Sequence, residues 1–150
     1  MTNHTDIDLE LSDEEMHLYS RQILLEGWDI DAQEKLKFAN ILIIGCGGIG
    51  CTTAELLARA GVGKITLIDA DTIEISNLQR QIAYVEENIG FYKAEILAKR
   101  LKQINPHICV ESRTIKLDDH NAAQLISKQD LVLDGCDNFR TRYLVNQTCK

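Results

Sequence analysis

The chain has 150 residues, 45% of them hydrophobic and 26% charged, with one proline and nine glycines, and that balance predicts a single soluble globular domain. Sixteen basic against twenty-three acidic residues leave a net charge of −7, which argues against nucleic acid as a partner because phosphate-backbone binding needs a basic face. No apolar run approaches membrane-spanning length, and the N-terminal MTNHTDIDLE has neither the basic start nor the apolar stretch of a secretory signal, so the expectation is a cytoplasmic protein without a membrane partner.

The first predicted element is a helix in LSDEEMHLYSRQILL, where Ser12 and Glu15 stand at capping-box spacing and Met16, Tyr19 and Ile23 share one face. A polar segment, EGWDIDAQEKLKFAN, carries the chain to the first strand, so residues 1–40 read as an N-terminal helical segment and residues 41–150 as an α/β domain. The run ILII at 41–44 reads as a fully buried strand, and it feeds directly into GCGGIG. Gly45, Gly47 and Gly50 satisfy G-x-G-x-x-G, the turn that cradles phosphate in nucleotide-binding α/β domains. The same glycines could instead let a helix pack tightly on a sheet. A helix follows from about Ile49 to Ala60, closed by AGVG.

KITLID is a second strand. GFYKAEILAKRLKQINP is a helix with Ala94, Leu97, Leu101 and Ile104 on its buried stripe and Pro106 as its stop. HICVESRTI is a third strand, DDHNAAQLISK a short helix with an aspartate cap, and DLVLDG a fourth strand. With right-handed crossovers this alternation winds into a Rossmann-like α/β fold, a parallel sheet with helices on both faces. The five cysteines, at 46, 51, 109, 136 and 149, form no C-x-x-C pair and have no histidine at ligand spacing, so each is expected to be a small buried apolar residue rather than a disulfide, zinc or catalytic group.

In such sheets ligands bind at the carboxyl ends of the strands. The glycine turn lies after the first strand, Asp69 and Asp71 after the second, and Asp134, Asp137 and Asn138 after the fourth. Asp69, twenty-four residues beyond Gly45, has the chemistry to accept hydrogen bonds from ribose hydroxyls, a trait shared by nicotinamide-cofactor enzymes and ATP users. Cations separate the two. A dinucleotide's pyrophosphate is held largely by backbone amides, whereas a triphosphate calls for arginine, lysine and a divalent metal. Arg80 in SNLQRQ, Lys93 at the start of a helix and Asp137 as an Mg²⁺ carboxylate supply that set. Taken singly, Arg80 and Lys93 read as ordinary surface charges and Asp137 as a helix cap. Together, at converging strand ends, they favour ATP, and an NAD-dependent oxidoreductase is the weaker alternative because it leaves them without a role.

RQILL, GCGGIG, RAGVGKITLIDADTIEISNLQRQ, NIGFYKAE, INPHI and LVLDGCDNFRTR together resemble, in order and spacing, the ubiquitin-activating-type adenylyltransferases of the ThiF/MoeB/HesA family. GWDIDAQEKL and INPHI are similar to the MoeB branch, which serves molybdopterin synthase, more than to the ThiF branch of thiamine synthesis. The resemblance implies that ATP activates the C-terminal glycine carboxylate of a ubiquitin-like sulfur-carrier protein as an acyl adenylate. It further implies that Gly48 lies against the nucleotide, that Asp69 holds the ribose and that Asn77, Arg80 and Lys93 contact phosphates, with Gly45, Gly47, Gly50, Asp71 and Ser76 also in the nucleotide site. Asp137, with Asn138 beside it, would support Mg²⁺, and Arg21 would reach the ATP of the partner subunit of a homodimer.

Family members run about a hundred residues longer, with two C-x-x-C zinc pairs in the second half, and here NQTCK falls inside an amphipathic helix with no glycine stop signal. The chain therefore resembles the N-terminal part of a longer enzyme, with any zinc in the C-terminal half. A truncated, catalytically inactive nucleotide-binding fragment or dimer partner is the alternative reading. Cys46, and Cys136 where the family usually has threonine, are departures that remove no charge from the site.

Overall fold

A computed structural model describes residues 10–150. Four strands, β1 (Asn40–Ile44), β2 (Lys64–Ile68), β3 (Cys109–Arg113) and β4 (Leu131–Asp134), form one sheet in the order β3-β2-β1-β4. Every neighbouring pair is parallel, with Ile43 opposite Leu67 on one side and Leu133 on the other. Parallel strands need crossovers, and the chain supplies them as helices α4 (Gly48–Ala60), α5 (Lys93–Ile104) and α6 (Ala122–Ile126), with α7 (Phe139–Thr148) after β4.

The period-two alternation of β1 divides the core between the two faces. Ile41 and Ile43 pack with Ala54, Ala58, Leu97 and Leu101 beneath α4 and α5. Leu42 and Ile44 pack with Ala122, Ile126 and Val145 beneath α6 and α7. The strand order reverses between β1 and β4, and the crevice outside their carboxyl ends is where a doubly wound sheet binds its ligand.

Two local expectations need correction, for the first helix and for the cysteines, and the polar stretch before β1 gains definition. The first helix breaks at Tyr19 into α1 (Asp13–Leu18) and α2 (Ser20–Ile23), although the capping box of Ser12 and Glu15 forms as read. Within the N-terminal helical segment, the polar stretch before β1 forms a helix, α3 (Asp29–Phe38). Its anchor is the fully buried Gln33, which donates to the Ala60 carbonyl at 2.8 Å and accepts from the Trp28 indole at 3.0 Å and from Gln22. A helix docked through a polar residue shows no apolar period. Of the five cysteines only Cys46 and Cys51 are buried; Cys109 and Cys149 are exposed and Cys136 is half-buried. Among the described residues no helix is long and apolar enough to cross a membrane. Part of the N-terminal segment, residues 1–9, lies outside the described residues.

Candidate functional site

The glycines after β1 divide into two kinds. Gly45 has φ +89°, and a β-carbon there would meet the Gly135 carbonyl carbon and oxygen at 2.9 Å. At Gly50 a β-carbon would stand 1.8 Å from the Gly45 oxygen. Gly135 abuts the same group, its own β-carbon position lying 3.2 Å from the Gly45 oxygen. These three let the ends of β1 and β4 close onto the start of α4, which is the packing explanation for G-x-G-x-x-G.

Packing does not account for Gly47 and Gly48. Their nearest neighbours would be Gln81 Nε2 at 3.7 Å and the Arg80 oxygen at 3.6 Å, both ordinary contacts, and neither glycine has positive φ. Gly47 caps the 13-residue helix α4 without a side-chain bond. Among the described residues nothing takes up the amides of residues 47–50. Free amides and the positive end of a helix dipole suit an anion.

Asp69, at the end of β2, binds this turn to its own loop. One carboxylate oxygen accepts the Cys46 amide and the other the Asp71 amide, both at 2.7 Å. Beyond it residues 71–73 fold back on residues 90–93: Ile73 donates to Phe91 at 2.9 Å and Lys93 to Asp71 at 3.0 Å. That return sets Lys93 at the first position of α5, its largely buried ammonium 3.6 Å from the exposed Asp71 carboxylate. The buried Tyr84 hydroxyl donates to the Cys46 carbonyl at 2.6 Å and lies 3.4 Å from the Lys93 carbonyl, so a single phenol ties the glycine turn to the lysine. Burial, with Asp69 nearby, pushes the Cys46 thiol far up. It is a packed, protonated group and not a nucleophile.

The segment Ser76–Gln81 lies over the turn. Asn77 is buried and accepts the Glu74 amide at 2.9 Å, while Ser76 is exposed and offers its carbonyl to Arg80 Nη1 at 3.0 Å. Arg80 is exposed, with its stem beside Gly48. At the end of β4, Asn138 and not Asp137 caps α7, accepting the Thr141 amide at 2.8 Å. The ion pairs of this region run through Asp134 to Arg142 at 4.0 Å and through Asp119 to Arg140 at 3.5 Å, and among the described residues the exposed Asp137 carboxylate has no ion-pair partner. Among the described residues no three His, Cys, Asp or Glu side chains form a metal cage. A single exposed carboxylate is the kind of ligand Mg²⁺ takes, the ion using one or two carboxylates and completing its shell with phosphate oxygens and water.

Arg21 is the one candidate the fold keeps apart. Its neighbour Gln22 donates to Ala60 at the far end of α4, at 2.7 Å, and a helix of 13 residues spans about 20 Å. Gly135, Tyr84 and Gln81 escaped the sequence reading. Gly135 follows a strand, and Gln81 stands next to Arg80 within SNLQRQ; for Tyr84 there was no signal.

Residues 19–150 match the ThiF family. The molybdopterin-synthase adenylyltransferase of Escherichia coli (strain K12) is 48% identical over 140 residues, which is 93% of this chain and 56% of that protein. The sulfur carrier protein adenylyltransferase of Thermus thermophilus is 41% identical over 133 residues, 89% of this chain and 49% of that protein. The structure of the E. coli tRNA N6-threonylcarbamoyladenosine dehydratase TcdA in complex with ATP superposes with a TM-score of 0.86 at 35% identity, over 92% of this chain and 56% of that one. This chain thus spans about half the length of these relatives. It belongs to the ThiF family.

Proposed function

We propose that the chain carries the nucleotide-binding half of a Mg·ATP-dependent adenylyltransferase that activates the C-terminal glycine carboxylate of a ubiquitin-like sulfur-carrier protein. The carrying observation is the crevice between β1 and β4. Supporting it there are two glycines that packing does not explain, Gly47 and Gly48, the amides of residues 47–50 with no partner among the described residues, and Arg80 beside Gly48. Lys93 is linked to the same turn through Tyr84, and Asp137 follows β4. The name of the Thermus thermophilus relative supports the carrier, and the ATP bound to TcdA supports the nucleotide.

In this reading the carrier carboxylate attacks the α-phosphate, one oxygen forms the new bond to phosphorus, and pyrophosphate leaves. Two anions must meet, so the rate comes from placed cations and oriented amides. Asp69 holds the ribose with lone pairs left over from its two amide bonds. Asn77, Arg80 and Lys93 hold phosphate oxygens, with Ser76 and Asp71 beside them. Asp137 holds Mg²⁺, which when bound neutralises triphosphate charge. Arg21, remote from its own crevice, serves the partner subunit of a homodimer.

Calorimetry with ATP and NAD, with and without Mg²⁺, tests the nucleotide: ATP should bind more tightly with Mg²⁺, and preferential NAD binding would refute the reading. Pyrophosphate exchange driven by a carrier ending in Gly-Gly tests the reaction. In the enzyme carrying this domain, Asp137→Ala should cut that exchange ~100- to 1,000-fold with the fold intact. TcdA, named for a tRNA substrate, marks a second reading, ATP activation of a different acceptor. The net charge of −7 weighs against an RNA backbone on this chain.

A further inference from the structure

We propose that Gln81 is a phosphate-contacting residue, its side-chain amide donating to a nucleotide phosphate oxygen laid on the glycine turn. The proposal rests on the ATP reading of the site. Gln81 is only 3% exposed, yet its Oε1 is buried and, among the described residues, has no hydrogen-bond partner. Its main chain is bonded both ways, the amide donating to Asn77 at 2.9 Å and the carbonyl accepting from Tyr84 at 3.2 Å. A polar side chain so firmly held and yet unpaired is uncommon, because buried polar groups are nearly always satisfied.

Its Nε2 lies 3.7 Å from where a Gly47 β-carbon would stand, next to the uncapped start of α4. The end of the side chain facing the cradle is therefore a donor, which suits a ligand that only accepts. Among the described residues no group bonds the carboxamide, so a phosphate accepting from Nε2 would fix its orientation and keep Oε1 turned to the interior. Arg80, one residue earlier, brings full charge from the exposed side of the same segment. Gln81 adds a neutral, directional donor from the buried side, which distinguishes the anion's position without drawing in bulk water.

Gln81→Met keeps the volume and removes both polar ends. It should weaken ATP binding about tenfold, the cost of one hydrogen bond to a charged group, while adenosine binding stays unchanged. The melting temperature without ligand should stay level or rise, because an orphaned buried oxygen has gone. In ¹⁵N-labelled wild-type protein the Gln81 side-chain NH₂ resonances should shift with ATP and not with adenosine, a measurement independent of any variant's folding. Wild-type-like ATP affinity in Gln81→Met, equal losses for ATP and adenosine, or NH₂ resonances indifferent to ATP would overturn the proposal. Wild-type protein that binds no ATP would instead refute the nucleotide reading, and this inference with it.

Discussion

At Gly50 a β-carbon would stand 1.8 Å from a backbone oxygen, while at Gly47 it would meet nothing closer than 3.7 Å. One motif thus contains two physically different glycines, and the difference gives opposed outcomes. Gly50→Ala should cost several kcal/mol, as overpacking against backbone does, and abolish the folded state in a denaturant melt. Gly47→Ala should fold with a melting temperature within a few degrees of wild type and lose at least tenfold in ATP affinity, because the methyl group occupies the anion's place. A Gly47→Ala protein that binds ATP normally would make that glycine incidental. None of this was legible in GCGGIG, since the distinction depends on how the turn folds Gly50 onto the Gly45 carbonyl while leaving Gly47 open beside Gln81. The charged candidates were easier to find, because Asp69, Lys93 and Asp137 sit just beyond strands or at helix starts whose positions the pattern gave away.

Elements declared themselves when they bury an apolar stripe. The strand β1 and the helix α5, with Ala94, Leu97 and Leu101 fully buried, were plain for that reason. The helix α3 was not, because Gln33 and the carbonyl of Ala60 fasten it. A second polar fastening joins α4 to α5: Glu55 accepts from Arg100 Nε and Arg59 Nη2, each at 2.9 Å. The two guanidiniums, Arg100 first, hold the Glu55 carboxyl below its ordinary value in spite of its burial. A carboxyl lowered in the folded state contributes stability above the ordinary carboxylate range and loses it as pH falls through the folded value. Glu55→Gln should therefore cost about 1–2 kcal/mol at pH 7, and the gap to wild type should close below about pH 4. Urea melts at the two pH values decide it, and a gap independent of pH would assign the cost to packing.

For the whole molecule, the distance of Arg21 from its own crevice has a direct test. If Arg21 completes the site of a partner subunit, mixing Arg21→Ala and Asp137→Ala proteins should restore up to about a quarter of wild-type activity, from heterodimers with one intact site, assuming random exchange. No recovery under demonstrated subunit exchange would confine Arg21 to its own chain. The architecture itself was readable from the alternation of strands and helices, since right-handed crossovers leave few ways to wind it. The side-by-side placement of β1 and β4, remote in sequence, was not, because right-handed crossovers are equally satisfied with β4 beside β3.

The strand order also divides the crevice by durability. β1 is bonded on both sides, so the glycine turn hangs from an internal strand that opens reluctantly, with Asp69 and Tyr84 bonded to the turn directly and Lys93 through Tyr84. Asp137 rides on β4, which among the described residues is laddered on one side, by the four pairings with β1 from Leu131 to Asp134. Local opening should therefore release the β4 end while the ribose and phosphate groups stay in register. Amide hydrogen exchange should find Leu133 exchanging faster than Ile65 or Leu67 in the free chain. Mg·ATP, which in this reading grips both sides of the crevice, should slow β4 more than β2, and nucleotide without the metal should leave β4 exchanging nearly as before.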